Sequence, residues 1–282
     1  MARLAVLVFA GLLLSSGSAT AAGTADVAAL QVALQVKGLY AGTIDGEVGP
    51  TTTSAVIAFQ KRKRLVPDGI VGPATRKALG RRWRPDLGSR PLGFGAVGWD
   101  VAALQFALAW HGFPSGTFDG AFGMHLRSAV LRFQRFAGLP VVGVVGPRTI
   151  AALMAPPPRS PIRLAWPLRA GVGSPFGSRG SRFHAGIDLE AVAGTPVGAA
   201  AGGVITWSGP ADGFGNLVIV AHGNGVRTFY AHLSRIDVSL GQRLWTGARI
   251  GLVGATGEAT GPHLHFEVRV RGAAIDPLTA LS

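Results

Sequence analysis

Four residues near the C-terminus, His263-Leu264-His265-Phe266, alternate imidazoles with apolar side chains. In a β-strand, side chains at positions i and i+2 point to the same face. The alternation therefore predicts a strand that turns both histidines toward one cavity and packs Leu264 and Phe266 behind them. Two other segments, His184-Ala-Gly-Ile-Asp188 and Tyr230-Ala-His232, carry further histidine and aspartate side chains. We expect both segments to converge on the histidine pair.

The composition limits the kinds of protein and site that are possible. The chain has 282 residues, 48% of them apolar, which is enough for two or three domains with hydrophobic cores. There is no cysteine, so any metal must be bound through nitrogen and oxygen. The formal net charge of +13 favours a polyanionic partner such as nucleic acid, an anionic wall polymer or a membrane surface. Charge alone does not choose among them.

The N-terminus resembles an export signal. A single basic residue, Arg3, precedes the apolar run Ala5–Leu14, and the small residues that follow include Ala19-Thr20-Ala21, which fits an A-x-A cleavage site. This predicts a signal peptide over residues 1–21, with an uncleaved membrane anchor as the alternative. No other apolar stretch reaches the length of about 18 residues that a membrane span needs. We therefore predict a secreted or cell-envelope protein without a stable membrane span after cleavage.

The N-terminal half contains a duplicated module. Val27–Leu79 returns as Val101–Leu153 at a constant offset of 74 residues, and about half of the paired positions are identical. Apolar residues at helical spacing, an Asp-Gly turn and a Gly-Pro helix start predict three short helices in each copy. The paired motifs are Val27-Ala-Ala-Leu-Gln31 with Val101-Ala-Ala-Leu-Gln105, Asp45-Gly46 with Asp119-Gly120, Phe59-Gln60 with Phe133-Gln134, and Val71-Gly-Pro73 with Val145-Gly-Pro147.

These motifs together resemble the bacterial peptidoglycan-binding module of the three-helix type. The resemblance covers nearly all of both copies and implies attachment to peptidoglycan, whereas the alternative is a pair of structural spacers. The second copy departs from the pattern where Pro50-Thr51 becomes Met124-His125. We place module 1 at residues 25–80, a linker at 81–96, module 2 at 97–154 and a Pro-rich linker at 155–165.

Other polar residues of the modules are predicted to lie on the surface. His111 and His125 have Lys37 and Thr51 as counterparts in the first copy, so the module does not need histidine there. The basic run Lys61-Arg-Lys-Arg64 has no interleaved aromatic residues on which bases could stack. Together with export, this argues against nucleic acid as a partner and leaves anionic wall polymers as a candidate.

The C-terminal segment changes to strand periodicity. From about Trp166, short β-branched runs alternate with glycine turns, which predicts a mainly antiparallel β domain over residues 166–282 without helices of ordinary length. The predicted fold is therefore multidomain α plus β, with two small three-helix modules followed by this β domain. The runs are Gly203–Trp207, Leu217–Val220, Arg227–Tyr230, Ile250–Val253 and Leu264–Val270.

The spacing of the histidines permits a catalytic metal site. A catalytic zinc typically has three protein ligands and an open position for water, and two histidines with one carboxylate would meet that requirement. The two remaining histidines could then transfer protons, because imidazole titrates near neutral pH. Spacing alone does not say which of His263 and His265 is the ligand.

The same segment resembles lysostaphin-type zinc metallopeptidases, which cleave peptide bonds in bacterial cell walls. The resemblance implies one Zn²⁺ held by His184, Asp188 and His265, with His232 and His263 as the catalytic pair. His222 lies outside this set, and we predict a hydrogen-bonding role at a strand end for it. The motifs that carry the resemblance are Ser174-Pro-Phe-Gly177, His184-Ala-Gly-Ile-Asp188, Gly194-Thr-Pro196, Gly215-Asn216, Tyr230-Ala-His-Leu233, Gly251-Leu-Val-Gly254 and Thr260-Gly-Pro-His-Leu-His-Phe-Glu267.

These observations together favour an exported zinc metalloendopeptidase that hydrolyses peptidoglycan and is anchored to the wall by two modules. In that chemistry zinc polarises the scissile carbonyl, while one histidine of the pair accepts a proton and the other stabilises the oxyanion. The alternatives are a non-enzymatic envelope protein that keeps the fold as a scaffold, and a nucleic-acid binder. Four acidic residues, Asp212, Glu190, Glu258 and Glu267, could orient an imidazole, and the sequence does not choose among them.

Overall fold

The N-terminal half of the protein is helical. The computed structural model describes residues 21–80 and 86–282, so the predicted signal peptide lies outside the described residues apart from Ala21. None of the helices in the described ranges is long and apolar enough to cross a membrane. Each copy of the repeat has three helices, as predicted: α1 Ala21–Val36, α2 Pro50–Arg62, α3 Pro73–Leu79, α4 Trp99–Trp110, α5 Met124–Phe136 and α6 Pro147–Leu153.

The C-terminal half is built from short strands, and the predicted mainly antiparallel β domain is confirmed. Its single helical turn is a 3₁₀ helix, Pro277–Thr279. The strands are β1 Val172–Ser174, β2 Gly177–Arg179, β3 Arg182–His184, β4 Ile187–Glu190, β5 Pro196–Gly198, β6 Gly203–Ala211, β7 Gly215–Ala221, β8 Val226–Ala231, β9 Arg235–Ile236, β10 Arg243–Leu244, β11 Arg249–Leu252, β12 His263–Val270 and β13 Ala273–Ile275.

Strand β12 lies in the middle of the main sheet. The strand order is β1-β4-β12-β8-β7-β6-β10, and β13 adds to β12 as a hairpin. The register places His265 opposite Asp188 of β4 on one side and opposite Ala231, the last residue of β8, on the other. Leu264 and Phe266 are fully buried in the core behind the sheet. The alternation in the opening motif therefore has the predicted orientation.

The two helical modules share one hydrophobic core. Helix α4 is apolar along almost its entire length, and every residue from Trp99 to Ala109 is buried. A helix that is apolar all round must be covered on all sides, and α1 of the first module packs against it. Buried alanines on both helices, including Ala29 and Ala103, permit this close packing. The repeat therefore forms a joined pair of bundles.

A buried glutamine closes each turn of the modules. The side chain of Gln31 donates to Asp45 Oδ1 at 2.6 Å and to Thr52 Oγ1 at 3.1 Å, and it accepts from the Gly46 N–H at 3.0 Å. Gln60 repeats the arrangement with Asp68, Gly69 and Thr75, and Gln105 repeats part of it with Asp119 and Gly120. These turns would otherwise bury unpaired backbone groups.

The described part of the segment predicted as a linker, residues 86–96, makes specific contacts with module 2. Leu92 is buried, and its backbone pairs with Val145 through hydrogen bonds of 3.0 and 2.7 Å. Arg90 forms an ion pair of 2.6 Å with the buried Asp100 of α4. Residues 86–96 are therefore packed onto module 2, because an apolar side chain and a paired charge hold them there. At the second junction, the buried Leu164 forms a parallel β-bridge with Leu281 near the C-terminus.

Candidate metal centre

One open cavity collects all five histidine and aspartate side chains singled out in the sequence. It has a volume of about 320 Å³ and lies over β12, β4 and the end of β8. Its lining includes His184, Asp188, His232, His263 and His265, and also Arg179, Asp212, Gly213, Phe214, Glu258 and Thr260. Residues more than 70 positions apart in the chain are thus brought to one surface by the register of the sheet.

Three of these side chains form a tight triangle of donor atoms. The Nε2 atom of His184 lies 3.0 Å from Asp188 Oδ1, His265 Nδ1 lies 2.9 Å from the same oxygen, and the two nitrogens are 3.0 Å apart. His263 Nε2 is farther from that oxygen, at 3.7 Å. The geometry therefore groups His184, Asp188 and His265 as one possible ligand set.

The triangle fits a small divalent cation. In a tetrahedral site with bonds of about 2.0–2.1 Å, neighbouring ligand atoms lie about 3.3 Å apart, within a few tenths of an ångström of the observed separations. Two nitrogens and one carboxylate oxygen can form one face of such a tetrahedron, and the open side of the cavity leaves a fourth position accessible. The donor set consists of imidazole and carboxylate, as expected for a chain without cysteine.

Hydrogen bonds away from the cavity select the ring nitrogen that each histidine turns inward. His184 Nδ1 contacts the Pro175 carbonyl oxygen at 2.8 Å, and His265 Nε2 contacts Glu267 at 3.1 Å. Since each outer nitrogen has an oxygen to which it can donate, the inward nitrogen is the atom that would offer its lone pair to a metal once it has lost any proton it carries. Each ligand candidate is therefore oriented with one ring nitrogen facing the triangle.

The other two histidines follow the same rule. His232 Nδ1 lies 2.7 Å from the Thr256 carbonyl oxygen, and His263 Nδ1 lies 2.8 Å from that of Gly261. Both rings thus direct Nε2 into the cavity, and their centroids are 4.8 Å apart. They form a second pair beside the triangle.

His232 adopts a backbone conformation that is uncommon for a residue with a side chain. Its φ angle of +62° lies in the left-handed region, immediately after the end of β8. Such a conformation costs of order 1 kcal/mol and persists only where neighbouring contacts hold it. The His232 N–H donates to the Phe214 carbonyl at 2.9 Å, which helps to hold the turn. The chain therefore leaves the strand in a direction that brings the imidazole over the cavity.

The electrostatics of the triangle favour a cation. Burial alone would raise the pKa of Asp188, but hydrogen bonds from His184, His265 and Arg179 hold it well below the usual range of an aspartate. Burial opposes the protonation of His265, yet hydrogen bonds to Asp188 and Glu267, and their charges, raise its pKa to about 9. Two ionised carboxylates therefore flank this imidazole, and the negative potential that attracts a proton there would also attract a metal ion.

His232 is electrostatically different. Burial lowers its pKa, a hydrogen bond to the Thr256 carbonyl opposes this shift, and the neighbouring His265 and His263 lower the pKa further. A lowered pKa keeps the ring neutral at neutral pH. The Nε2 atom of His232 is then a proton acceptor facing the cavity.

Glu267 is the acidic residue that orients an imidazole. It is buried, accepts from His265 and forms an ion pair of 2.7 Å with Arg269. The other carboxylates considered in the sequence have no hydrogen bond to a histidine among the described residues: Asp212 and Glu258 line the cavity, and Glu190 is exposed on β4. The partner therefore lies two residues beyond the ligand candidate on the same strand.

Arg179 also lines the cavity, although it was not among the residues singled out in the sequence. Its guanidinium donates to Asp188 Oδ2 at 2.6 Å, and it also contacts Ser174. The only signal was its place two residues after Ser174-Pro-Phe-Gly177. The guanidinium occupies one carboxylate oxygen of Asp188, so the other oxygen is left to the triangle.

The remaining histidines lie outside the cavity. His222 is bonded to the Gly202 carbonyl at 2.9 Å and to Thr228 Oγ1 at 2.6 Å, in agreement with the predicted hydrogen-bonding role. His125 is exposed, as predicted. The prediction of a surface position is wrong for His111, which is only 2% exposed and contacts the Leu153 carbonyl at 2.7 Å. Burial between the helices lowers its pKa.

The sequence that surrounds this cavity matches a known family. Residues 182–277 match peptidase family M23. This segment is an M23 domain. Residues 23–79 and 98–153, the two copies of the repeat, match a family of peptidoglycan binding domains. The M23 domain thus carries the triangle and the histidine pair, and both helical modules precede it in the chain.

The M23 domain is similar to parts of longer proteins. DD-carboxypeptidase/endopeptidase Mpg of Neisseria meningitidis is 47% identical over 114 residues, which cover 38% of this chain and 26% of that protein. Peptidoglycan DD-endopeptidase ShyA of Vibrio cholerae is 44% identical over 97 residues, or 34% of this chain and 23% of that protein. The alignments thus span about a quarter of these relatives. Lysostaphin of Staphylococcus simulans is 35% identical, covering 39% of this chain and 48% of that structure, with a TM-score of 0.37.

Proposed function

We propose that the protein is an exported zinc metalloendopeptidase that hydrolyses peptide bonds of peptidoglycan and is held on the wall by its two modules. The observation that supports this most strongly is the triangle of His184, Asp188 and His265 beside two inward-facing imidazoles. The modules belong to a family of peptidoglycan binding domains. Binding to the polymer raises the local concentration of the M23 domain near its insoluble substrate.

The residues have separate tasks in this proposal. His184, Asp188 and His265 would hold Zn²⁺, and the bound ion would supply a Lewis acid that polarises the scissile carbonyl. His232 and His263 present Nε2 atoms to the same space. One of them takes the proton from the attacking water as the new C–O bond forms, and the proton then passes to the amine nitrogen as the C–N bond breaks. The other donates a hydrogen bond to the oxyanion.

The names of two relatives support a proposal for the substrate class. Mpg is named a DD-carboxypeptidase/endopeptidase and ShyA a peptidoglycan DD-endopeptidase. We infer that this chain also cleaves between D-amino acids in peptide cross-links. The intact set of five residues argues for an enzyme over a scaffold that has lost catalysis. The charge of +13 is consistent with additional attraction to anionic wall polymers.

The roles can be separated by substitution. His265→Ala should lose bound zinc and cell-wall hydrolysis together, because it removes a ligand. His232→Ala and His263→Ala should keep zinc and lose at least about 100-fold in kcat, the usual contribution of a positioned acid or base. Zinc content is measured by atomic emission, and the released fragments of defined peptidoglycans are identified by mass spectrometry.

Chelation of the wild-type protein should abolish hydrolysis, and added zinc should restore it. His222→Ala is the matched control, since it removes an imidazole outside the cavity and should retain both zinc and activity. Hydrolysis that persists after chelation and in His265→Ala would contradict the zinc assignment. Loss of zinc from His263→Ala would exchange the proposed roles of His263 and His265.

A further inference from the structure

The β2–β3 hairpin connects the helical modules to the metal centre. Its tip, Gly180-Ser181, lies against both modules: the Ile44 N–H donates to the Gly180 carbonyl and the Phe118 N–H donates to the Ser181 carbonyl, each at 2.8 Å. Ile44 and Phe118 occupy the same position in the two copies of the repeat, at the offset of 74 residues. Each copy therefore binds one of two adjacent carbonyls with the same backbone atom.

An aromatic cluster holds the base of the hairpin. Trp110, the last residue of α4, lies edge-on to Phe183 of β3 and to Phe176, which precedes β2, with ring centroids 5.3 and 6.2 Å apart. Phe176 and Phe183 contact each other at 4.9 Å. A Cβ atom at Gly177 would lie 3.3 Å from the Trp110 ring, so the backbone of β2 packs directly on it. Module 2 thus contacts both strands, β2 and β3, at the base of the hairpin.

Two side chains of the hairpin reach the cavity. His184 is the last residue of β3, directly follows Phe183 and lies at the base of the hairpin, whereas Arg179 is the last residue of β2 and lies beside the tip. His184 contributes one corner of the triangle, and Arg179 holds Asp188 Oδ2 at 2.6 Å. Two of the three ligand candidates therefore depend on the hairpin for their positions. A shift of the hairpin by about 1 Å is enough to disrupt a metal site.

We propose that the tandem modules are a structural part of the metal centre, with Trp110 as a positioning residue. By packing on Phe176, Phe183 and Gly177, the indole fixes the hairpin so that His184 and Arg179 reach their places. The modules then have a second role besides wall binding, namely to maintain metal affinity. This inference rests on the proposed function, since it requires the triangle to bind a metal.

The test is Trp110→Val in the full chain. The first copy of the repeat has Val36 at this position, where it is 66% exposed, so the helix end accepts valine. We expect the dissociation constant for zinc, measured by competition with a chelator, to rise 10–100-fold, as is typical when a residue that orients a metal ligand is removed. Saturating zinc should restore most of the hydrolysis, and binding to purified walls should remain unchanged.

Two further variants distinguish positioning from general stability. Trp110→Phe keeps an aromatic face toward Phe183 and should retain affinity within a few-fold of wild type, which also provides a test if the valine variant does not fold. Trp99→Val is the matched control: Trp99 lies at the other end of α4, buried in the core that the two modules share. It should lower the melting temperature without changing the affinity for zinc.

The outcomes separate this inference from the proposed function. Equal zinc affinity in wild type and in both Trp110 variants would overturn the positioning role while leaving the peptidase proposal in place. An equal loss of affinity in Trp99→Val and Trp110→Val would overturn it as well, because general destabilisation would then be sufficient. Wild-type protein that binds no zinc would refute the proposed function and this inference together.

Discussion

Each histidine of this site is oriented by a hydrogen-bond acceptor on the side of the ring that faces away from the cavity. Four imidazoles face one space, and each has its outer nitrogen against a carbonyl or carboxylate oxygen: Pro175, Thr256, Gly261 and Glu267. The inward atom is Nδ1 for His265 and Nε2 for the other three. His265 turns a different nitrogen inward because its partner, Glu267, lies two residues further along the same strand and on the same face.

Replacement of Glu267 tests the importance of that partner. Glu267→Gln removes the negative charge that lies beside His265 and leaves Arg269 facing a neutral amide. We expect the affinity for zinc to fall by 10–100-fold, because carboxylates behind ligating imidazoles raise their basicity and fix their orientation. The measurement is a zinc titration against a competing chelator.

Glu258→Gln is the control for this residue. It removes an exposed carboxylate that lines the same cavity. If both variants weaken zinc binding equally, the general negative potential of the cavity is responsible, and the specific hydrogen bond to His265 is unimportant.

At the scale of elements, the turns of the modules reuse one polar arrangement. Three of its four occurrences contain an aspartate that accepts from the glutamine: Asp45, Asp68 and Asp119. In the fourth, Val142 replaces the aspartate, and Gln134 donates to the Val144 carbonyl and to Thr149. Val142 is 59% exposed, so it contributes little apolar burial in exchange.

This comparison predicts a stabilising substitution. Val142→Asp restores the missing acceptor, which can take hydrogen bonds from the Gln134 side chain and the Val144 N–H, as Asp68 does from Gln60 and Ile70 at 2.7 and 2.8 Å. We expect a gain of about 1 kcal/mol in the free energy of unfolding. Thermal or urea unfolding of the full chain measures it.

Val141→Asp is the matched control, because it places the same charge on the neighbouring exposed residue. The explanation fails if both substitutions change stability to the same extent, since a general effect of surface charge would then account for the gain.

At the scale of the whole molecule, distant segments meet at Asp26. Burial of this residue of α1, together with the nearby charge of Asp86, raises its pKa to about 6 against the opposing charge of Arg76 of α3. The carboxyl is therefore more protonated in the folded than in the unfolded state between about pH 4 and pH 6. Stability that is present below pH 4 is lost as the pH rises through this window, because the unfolded state binds fewer protons there.

Asp26→Asn should remove this loss. At pH 7 we expect the variant to be about 1 kcal/mol more stable than wild type, below the full linkage value because the side chain is partly exposed. At pH 3.5 the two proteins should unfold at nearly the same temperature. Calorimetry at both pH values measures the difference, and an advantage of the variant that is independent of pH would contradict the assignment.

Local patterns in the sequence were enough to predict the helices and the main β-strand of the site. The offset of 74 residues and the helical spacing predicted six helices, and the alternation in β12 predicted which side chains face the cavity. These features depend on neighbours in the chain, because period and turn chemistry act over a few residues. The families of the M23 domain and of the modules were likewise recognisable from short motifs.

Only the tertiary structure decided how the parts meet. In the triangle, His265 meets Asp188 and His184, which lie 77 and 81 residues before it in the chain. The register of β12 against β4 determines that these side chains meet. The spacing of the histidines left His263 and His265 as equivalent ligand candidates, and only a resemblance to a family chose His265; in the structure His265 Nδ1 lies 2.9 Å from Asp188 Oδ1, and His263 Nε2 lies 3.7 Å from it. The burial of His111 and the contacts of the hairpin with both modules likewise had no local signal, and the ion pair of Arg179 had only its nearness to one motif. Each of these depends on packing between segments that are distant in the chain, and a pattern confined to one segment does not encode it.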